Sequence, residues 1–202
     1  MSPEPVLYTV GHSSQSVESF VGALQAHRIE VIADVRSMPY SSRYPHFSRE
    51  ALQKSLIVAG IRYLFLGREL GARRDEPECY VDGRASYEEI AKLPNFQRGV
   101  ERLLEAAQMR RIALMCAEQD PLTCHRTILI CRALSRHGIA IRHIERGGAV
   151  EEHPQAEQRL LREEFGDDSQ GQLFGDVSPS DTRLQQAYTA RGNRIAYRRG
   201  SG

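Results

Sequence analysis

The residue types that could do chemistry are concentrated in one stretch of the chain, Met115-Cys-Ala-Glu-Gln-Asp-Pro-Leu-Thr-Cys-His-Arg126. An apolar run from Ile112 to Cys116 leads into this stretch, and a second apolar run from Ile128 to Leu134 follows it. A proline and an aspartate break the pattern between the two runs, and Thr123 could cap the second run as a helix. The stretch is therefore predicted to be the loop between a strand and a helix.

That arrangement would bring several reactive groups to one junction. Cys116 and Glu118 would lie at the carboxyl end of the strand, and Cys124, His125 and Arg126 would lie in the first turn of the helix. The free N–H groups and partial positive charge of a helix start favour an anion or a thiol of lowered pKa. The junction is therefore predicted to be a functional site.

Cys116 is a candidate nucleophile, because Arg126 and the helix start could stabilise its thiolate. The alternative is a small buried side chain at a strand end, since free cysteines are often buried. A phosphatase-type loop does not fit: its arginine lies six residues after its cysteine, and position 122 is leucine here. The same count from Cys124 reaches an isoleucine at position 130.

A metal site would need Cys116, Cys124 and His125, together with His12 or His46. Cysteine pairs in zinc sites are usually about two to four residues apart, whereas seven residues separate Cys116 from Cys124. We therefore expect no metal site and no cofactor. Cys124 and His125 are predicted instead to bind substrate or an anion.

Glu118 and Asp34 are carboxylates at the ends of two predicted strands. Either could act as a general acid or base, or could stabilise a cationic transition state. Both could instead pair with Arg36 and Arg126 for structural reasons. The two carboxylates are predicted to be catalytic, and the two arginines are predicted to bind an anion.

His12 follows Gly11 at the end of the first predicted strand and precedes a predicted helix, so we expect it to be accessible. Imidazole can serve as an acid, a base or a substrate ligand, and we predict one of these roles for His12. Ser13, next to it, is predicted to contact the substrate.

The loop from Arg36 to Arg49 has two prolines and no acidic residue. Basic groups can hold phosphates while aromatic rings stack on bases, so this loop indicates a nucleic-acid or nucleotide partner. The alternative is a lid whose aromatic rings pack on the sheet and whose arginines pair with the two carboxylates. The predicted binding residues here are Arg36, Tyr40, Arg43, His46 and Phe47.

Strand-like and helix-like segments alternate along the chain, which predicts an α/β fold with a mostly parallel sheet. The predicted strands are five: Val6–Val10, Val31–Val35, Arg62–Leu66, Ile112–Cys116 and Ile139–Ile144. Right-handed crossovers favour the order 3-2-1-4-5, in which the carboxyl ends of separate strands converge on one crevice. Residues 1–150 are predicted to form this domain, and residues 151–202 a helical C-terminal extension packed on it or flexibly attached.

The composition is that of a globular protein, with 41% hydrophobic and 26% charged residues among 202. No apolar run is long enough to span a membrane, and the first residues lack a secretion signal, so we expect a cytoplasmic protein with no membrane partner. Four cysteines are too few for a disulfide framework and fit free thiols. The net charge of +1 identifies no partner, and nothing indicates an oligomeric state.

Several motifs together resemble the DUF488 family of uncharacterised bacterial and archaeal proteins. They are Thr9-Val-Gly-His-Ser13, Asp34-Val-Arg-Ser37 with Pro39, Arg43 and Phe47, then Tyr63 with Leu66-Gly67, Cys116-Ala-Glu118 through Cys124-His-Arg126, and His153. The resemblance covers roughly residues 6–155. Gly71-Ala72 stands where the resemblance leads us to expect two glycines. The resemblance implies a Rossmann-like three-layer fold and a functional crevice, and it brings no settled activity.

Three functions remain open at this point. The first is an enzyme acting on nucleic acid or a nucleotide, such as a glycosidic-bond hydrolase with Glu118 or Asp34 as the catalytic carboxylate. The second is a sulfur or acyl transferase that uses Cys116 or Cys124. The third is a regulatory module that binds a nucleotide or another anion without catalysis.

Overall fold

The computed structural model describes residues 5–166 and 179–199. The strands are β1 (Val6–Gly11), β2 (Val31–Asp34), β3 (Arg62–Phe65), β4 (Tyr80–Val81), β5 (Arg84–Ala85), β6 (Ile112–Cys116), β7 (Ala140–Ile144) and β8 (Val150–Glu152). The α-helices are α1 (Val17–Ala26), α2 (Arg49–Val58), α3 (Gly67–Leu70), α4 (Tyr87–Lys92), α5 (Pro94–Met109), α6 (Arg132–Ser135), α7 (His153–Phe165) and α8 (Pro179–Ile195). A π-helical segment, Arg126–Cys131, leads directly into α6.

Six strands form one sheet in the order β3-β2-β6-β1-β7-β8, and β4 and β5 form a separate hairpin. Strands β1, β2, β3, β6 and β7 run parallel, and β8 pairs antiparallel with β7. The predicted α/β fold with a mostly parallel sheet is confirmed. The predicted count of five strands and the order 3-2-1-4-5 are wrong, because β6 lies between β1 and β2 and β8 adds an edge.

The central position of β6 follows from its residues. Its side chains, from Ile112 to Cys116, are all between 0% and 3% exposed, and parallel strands buried on both faces read as continuous apolar runs. The crossover rule fixes the hand of the β1–α1–β2 connection but not how many strand positions it passes over. The connection leaves one position open between β1 and β2, and the most apolar strand fills it.

Helices cover both faces of the sheet. Phe20 of α1 and Leu52 of α2 pack on one face, and Val100 and Leu103 of α5 pack on the other. The cap predicted for α1 is present, since Ser16 Oγ accepts a hydrogen bond from Ser19 N at 3.2 Å. These layers hold the strands rigid and leave their carboxyl ends open.

Helices α7 and α8 pack against the rest of the described structure. Helix α7 begins with a reciprocal capping box between Glu152 and Gln155. In α8, Arg191 is only 5% exposed and makes ion pairs with Glu163 and Glu164. Its Nη1 also donates to the carbonyl of Leu122, at 3.2 Å, in the loop that follows β6. The extension therefore contacts the loop that was predicted to carry the site.

A buried chain of hydrogen bonds also joins the sheet to the extension. Thr9 Oγ1 contacts His143 Nδ1 at 2.8 Å, and His143 Nε2 contacts His153 Nδ1 at 3.0 Å. The Tyr188 hydroxyl lies 3.3 Å from His153 Nε2. Burial lowers the pKa of His143 to about 2 and also lowers the pKa of His153. Both imidazoles are therefore neutral in the folded protein at pH 7.

We expect the free energy of unfolding to fall as the pH is lowered from about 6.5 to about 5, because the unfolded chain then binds protons that His143 and His153 cannot. His12, whose pKa burial also lowers, contributes in the same direction. The contribution is complete above the unfolded pKa and is lost towards the folded values, with a slope of up to about 1.4 kcal/mol per pH unit for each histidine. Urea unfolding across this range measures the slope. The substitution His143→Asn should reduce this slope. The substitution His137→Asn, at an exposed position, should leave it unchanged. Equal slopes in the wild type and in His143→Asn would contradict the assignment to His143.

No helix among the described residues is long and apolar enough to cross a membrane.

Candidate functional site

A cavity of about 840 Å³ opens at the carboxyl ends of β1, β2 and β6. Its volume falls within the range of small-molecule sites. Eight of the predicted site residues line it: His12, Ser13, Arg36, Tyr40, Arg43, Cys116, Glu118 and His125. The segment from Arg36 to Tyr44 forms one wall. Groups from three separate strand ends therefore meet at one cavity.

The other predicted site residues, Asp34, His46, Phe47, Cys124 and Arg126, lie outside the described lining of the cavity. Phe47 is fully buried in the core. His46 is held by Gln15, whose carbonyl oxygen lies 3.2 Å from His46 Nε2. The structure thus places these two side chains against other protein groups, outside the described lining of the cavity.

Asp34 is fully buried and is engaged by its neighbours. Its carboxylate accepts from Arg36 Nη2 at 2.6 Å and from Arg36 Nε at 2.9 Å. The Tyr63 hydroxyl donates to the same carboxylate at 2.7 Å. Fork-shaped pairing of this kind fixes the direction of a guanidinium. Asp34 is therefore arranged to orient Arg36 towards the cavity.

His12 is fixed in one tautomer by its two contacts. Nδ1 donates to the Ser13 carbonyl at 3.1 Å, and Nε2 accepts from Arg36 Nη1 at 3.2 Å. The ring stacks on Phe47 with a centroid separation of 4.3 Å. Burial lowers the pKa of His12 to about 4. The ring is therefore neutral at pH 7, and Arg36 occupies the lone pair that a general base would use.

Cys116, Cys124 and His125 form a compact cluster. Cys116 Sγ lies 3.7 Å from His125 Nδ1, and Cys124 Sγ lies 3.9 Å from the same nitrogen. The three atoms are all within 4.8 Å of one another. The sequence spacing gave no sign of this, because the turn through the loop, and not a local Cys motif, brings the second cysteine back beside the first. The seven residues between Cys116 and Cys124 are therefore no argument against a metal site.

The pKa values of the three groups in the cluster are shifted in different directions. The hydrogen bond from Cys116 to Cys124, together with burial, raises the pKa of Cys116. Burial disfavours the Cys124 thiolate, but the Cys116 hydrogen bond and the charge of Arg126 outweigh it and lower the pKa of Cys124. Burial would likewise lower the pKa of His125, yet its contact with Cys124 raises it. Cys124 is thus the more acidic thiol of the pair.

Glu118 stands at the open side of the cavity, where the residue is exposed to solvent. Protein atoms nevertheless crowd its carboxyl group, and this partial burial, assisted by the negative charge of Cys124, raises the pKa of Glu118. A carboxyl group of raised pKa can exchange a proton nearer to neutral pH than an ordinary glutamate can. Glu118 is therefore suited to acid–base work.

Two groups hold the loop that carries Glu118. Arg126, 1% exposed, donates from Nη1 to the Glu118 carbonyl at 2.6 Å and from Nη2 to the Gln119 carbonyl at 2.8 Å. On the other side, His12 N donates to the Cys116 carbonyl at 3.0 Å. Arg126 was predicted to bind an anion; the structure places its guanidinium on the loop backbone.

The helix start after the loop differs from the predicted one. Thr123 does not cap the helix, and its hydroxyl donates instead to the Asp120 carbonyl at 3.0 Å. Cys124 occupies the last extended position, with its carbonyl accepting from Ile128 N at 3.1 Å. The Cys124 thiol is thereby aimed back towards β6 and Cys116.

Sequence reasoning missed several lining residues, among them Tyr87, Arg73 and Tyr197. Arg73 lies over the Tyr197 ring at 4.8 Å, and Arg43 lies over Tyr44 at 5.6 Å. In the loop at residues 36–49, arginine and tyrosine residues close together in the sequence predicted a binding surface. Arginines and tyrosines also occur together around residues 73 and 197, so the same pattern could have indicated these lining residues. No local pattern distinguished Tyr87.

A family model described as "Domain of unknown function DUF488" matches residues 16–133 of the chain. The chain belongs to the DUF488 family. The match covers the loop at residues 36–49 and the whole cluster from Cys116 to Arg126, whereas His12, Ser13 and His153 lie outside the matched range. No curated protein and no solved structure matches the chain.

Gly71-Ala72, where two glycines were expected of a DUF488 protein, is accommodated in the structure. A Cβ atom on Gly71 would lie 2.3 Å from the Gly67 carbonyl oxygen and 2.4 Å from Ser37 Oγ. The position therefore requires glycine, because the backbone passes too close for a side chain. Ala72 has room for its methyl group and lines the cavity.

Proposed function

We propose that this DUF488 domain is an enzyme that hydrolyses a glycosidic bond in a nucleotide or in nucleic acid, with Glu118 as its acid–base group. The charge of the cavity wall carries the proposal. Glu118 is the one carboxylate among the described lining residues, and the other charged side chains there are Arg36, Arg43 and Arg73. An anionic ligand held by the arginines would place a neighbouring bond beside the carboxyl group.

The aromatic lining supports a ligand that carries a base. Tyr40 is 70% exposed beside Arg43 in the same wall. Every base has a face that can stack on an aromatic ring, and arginine adds attraction for phosphate and for the ring face. A wall that offers both is suited to a nucleotide, free or within a strand. A Rossmann-like crevice at the strand ends would serve the same purpose.

The chemistry would use a single carboxyl group, because Asp34 is occupied by Arg36 and Tyr63. Glu118 would take a proton from a water molecule while the oxygen of that water bonds to the anomeric carbon of the sugar. The bond from that carbon to the base nitrogen would break, and the electron pair would leave with the base, which gains a proton from solvent while Glu118 returns its own proton to solvent. Positive charge that develops on the sugar in such a reaction is stabilised by a nearby carboxylate.

The test is a substrate screen with nucleosides, nucleotides and oligonucleotides that carry ordinary or modified bases. Chromatography measures free base. Base release from phosphorylated substrates, with affinity that falls steeply as salt is raised, is the expected result. Tight binding with no base release would favour the non-enzymatic module, and neither binding nor release at low salt would contradict any nucleotide function.

A cysteine-dependent sulfur or acyl transferase is the second candidate. The contact of the acidic Cys124 thiol with His125 favours it, since a thiolate beside an imidazole is the usual activated nucleophile. Against it, Cys124 is 1% exposed, and Cys116, which reaches the cavity, has a raised pKa.

We expect iodoacetamide to modify Cys116 and Cys124 no faster than an ordinary free thiol, because one is hard to ionise and the other is shielded. Mass spectrometry of the folded protein over time, with glutathione as the reference thiol, measures the rates. Labelling of either cysteine at more than about ten times the reference rate would move the preferred function to the transferase.

A further inference from the structure

The distances within the cysteine–histidine cluster are close to those of a metal site. Tetrahedral zinc, with bonds of about 2.3 Å to sulfur and about 2.0 Å to nitrogen, places neighbouring sulfur and nitrogen ligands roughly 3.6 Å apart. The two sulfur–nitrogen distances from His125 Nδ1 are 3.7 Å and 3.9 Å. Each sulfur–nitrogen pair is therefore within a few tenths of an ångström of its ligand spacing, and the three atoms all lie within 4.8 Å of one another.

The tautomer of His125 is set from the far side of its ring. Nε2 lies 3.0 Å from the Val35 carbonyl oxygen, which can only accept, so Nε2 carries a proton and donates it. Nδ1 is then the nitrogen that is free to lose its proton, and it faces both sulfurs. A ligating histidine held by a backbone carbonyl through its other nitrogen is the usual outer support of a zinc site.

The cluster also has an open side. Cys116 and His125 line the cavity, and Cys124 lies behind them at 1% exposure. Three protein ligands with a fourth position facing a cavity is the pattern of catalytic zinc sites, whereas structural sites are closed by four. Glu118, two residues after Cys116, lines the same cavity.

We propose that Cys116, Cys124 and His125 bind a zinc ion whose fourth position opens into the cavity next to Glu118. Soft thiolate and imidazole donors select zinc over magnesium or calcium, which take oxygen ligands. Binding releases the protons that the two thiols and Nδ1 still carry. The two thiolates then neutralise the charge of the ion. This pairing offsets the desolvation cost of burying the three charges.

This site stands independently of the substrate proposed above. If Glu118 acts in hydrolysis, a zinc-bound water beside it would be the nucleophile that it deprotonates, because zinc lowers the pKa of bound water. The same donor set with a nearby non-ligating glutamate serves zinc-dependent deaminases.

The test is metal binding by the full chain, reduced and stripped with a chelator. Zinc is titrated against a chromophoric chelator, and Co²⁺ is added separately as a spectroscopic probe. Stoichiometric zinc binding and a thiolate-to-cobalt charge-transfer absorption are expected. Cys116→Ser, Cys124→Ser and His125→Gln should each lower zinc affinity by more than the roughly 10- to 100-fold that follows loss of an outer-shell partner. Cys131→Ala is the matched control, since Cys131 is a buried free cysteine at the end of the helical segment that follows His125, outside the cluster.

Absence of zinc binding, a cobalt spectrum without thiolate absorption, or an equal loss in Cys131→Ala would each overturn the proposal. Circular dichroism reports whether the variants fold. If they do not, the cobalt spectrum of the wild type alone shows whether thiolates bind the metal. Glu118→Gln should keep zinc. A protein that binds zinc yet releases no base would therefore contradict the hydrolase and leave the metal site standing.

Discussion

Glu118→Gln is expected to reduce base release by about 10²- to 10⁴-fold, the usual contribution of a general acid or base. The amide is almost the same size as the carboxyl group, so the cavity keeps its shape. It cannot take a proton from water. Affinity for the ligand should be retained, because the arginines of the cavity wall hold the anion. The measurement compares kcat and KM for the substrate that the screen identifies.

The pH profile makes the assignment sharper. The pKa of Glu118 is raised, so a base role predicts activity that falls with decreasing pH through that pKa. Asp120→Asn is the matched control, because Asp120 lies in the same loop but pairs with Arg159 at 2.9 Å and is not part of the described lining. Unchanged kcat in Glu118→Gln, or an equal loss in Asp120→Asn, would show that Glu118 is not the acid–base group.

Gly11→Ala is expected to disrupt the site and to lower the free energy of unfolding by about 3 kcal/mol, as overpacking against backbone does. A Cβ atom on Gly11 would lie 1.8 Å from the Glu118 carbonyl oxygen and 2.7 Å from its carbon. Neither chain can yield easily, because β1 is a central strand and Arg126 holds that carbonyl. Base release should fall as far as in Glu118→Gln. Urea unfolding and the activity assay measure the two effects.

Gly22→Ala is the control for that substitution. Gly22 lies inside α1, where a Cβ atom would have nothing within 4 Å. Alanine in a helix interior is about 0.5–1 kcal/mol more favourable than glycine, so this variant should be slightly more stable and fully active. A Gly11→Ala protein as stable and as active as Gly22→Ala would mean that the close approach of β1 to the Glu118 loop is unimportant.

Local features of the fold could be predicted from the sequence because local residues determine them. The five parallel strands stand close to their predicted positions, and Val31, Ile32, Ile112, Leu114 and Ile141 are buried as continuous apolar runs require. The position of β6 could not be predicted, since strand order depends on packing between distant segments. The turn at Gly147-Gly148, where φ is 88° and 92°, closes a hairpin onto β8 that the weakening pattern after residue 146 concealed.

Part of the candidate site could also be predicted, because the carboxyl ends of neighbouring parallel strands share one edge. That rule identified His12, Arg36, Cys116 and Glu118. It could not separate a side chain that faces the cavity from one that is held behind it. For this reason it did not show that Asp34 lies behind the cavity wall. Nor could it foresee that the Cys124 thiol is aimed at Cys116 through the turn between them.

One wall of the cavity comes from Ile195, the last residue of α8, and from Tyr197, whereas His12 follows β1. A ribosome releases the residues of β1 long before those of α8, and domains of this size fold largely as units during synthesis. The strand ends are therefore synthesised early, but the ligand-binding surface is finished only when the segment up to residue 197 has emerged. A nascent chain would thus acquire its full capacity to bind a ligand only after residue 197 has left the ribosome.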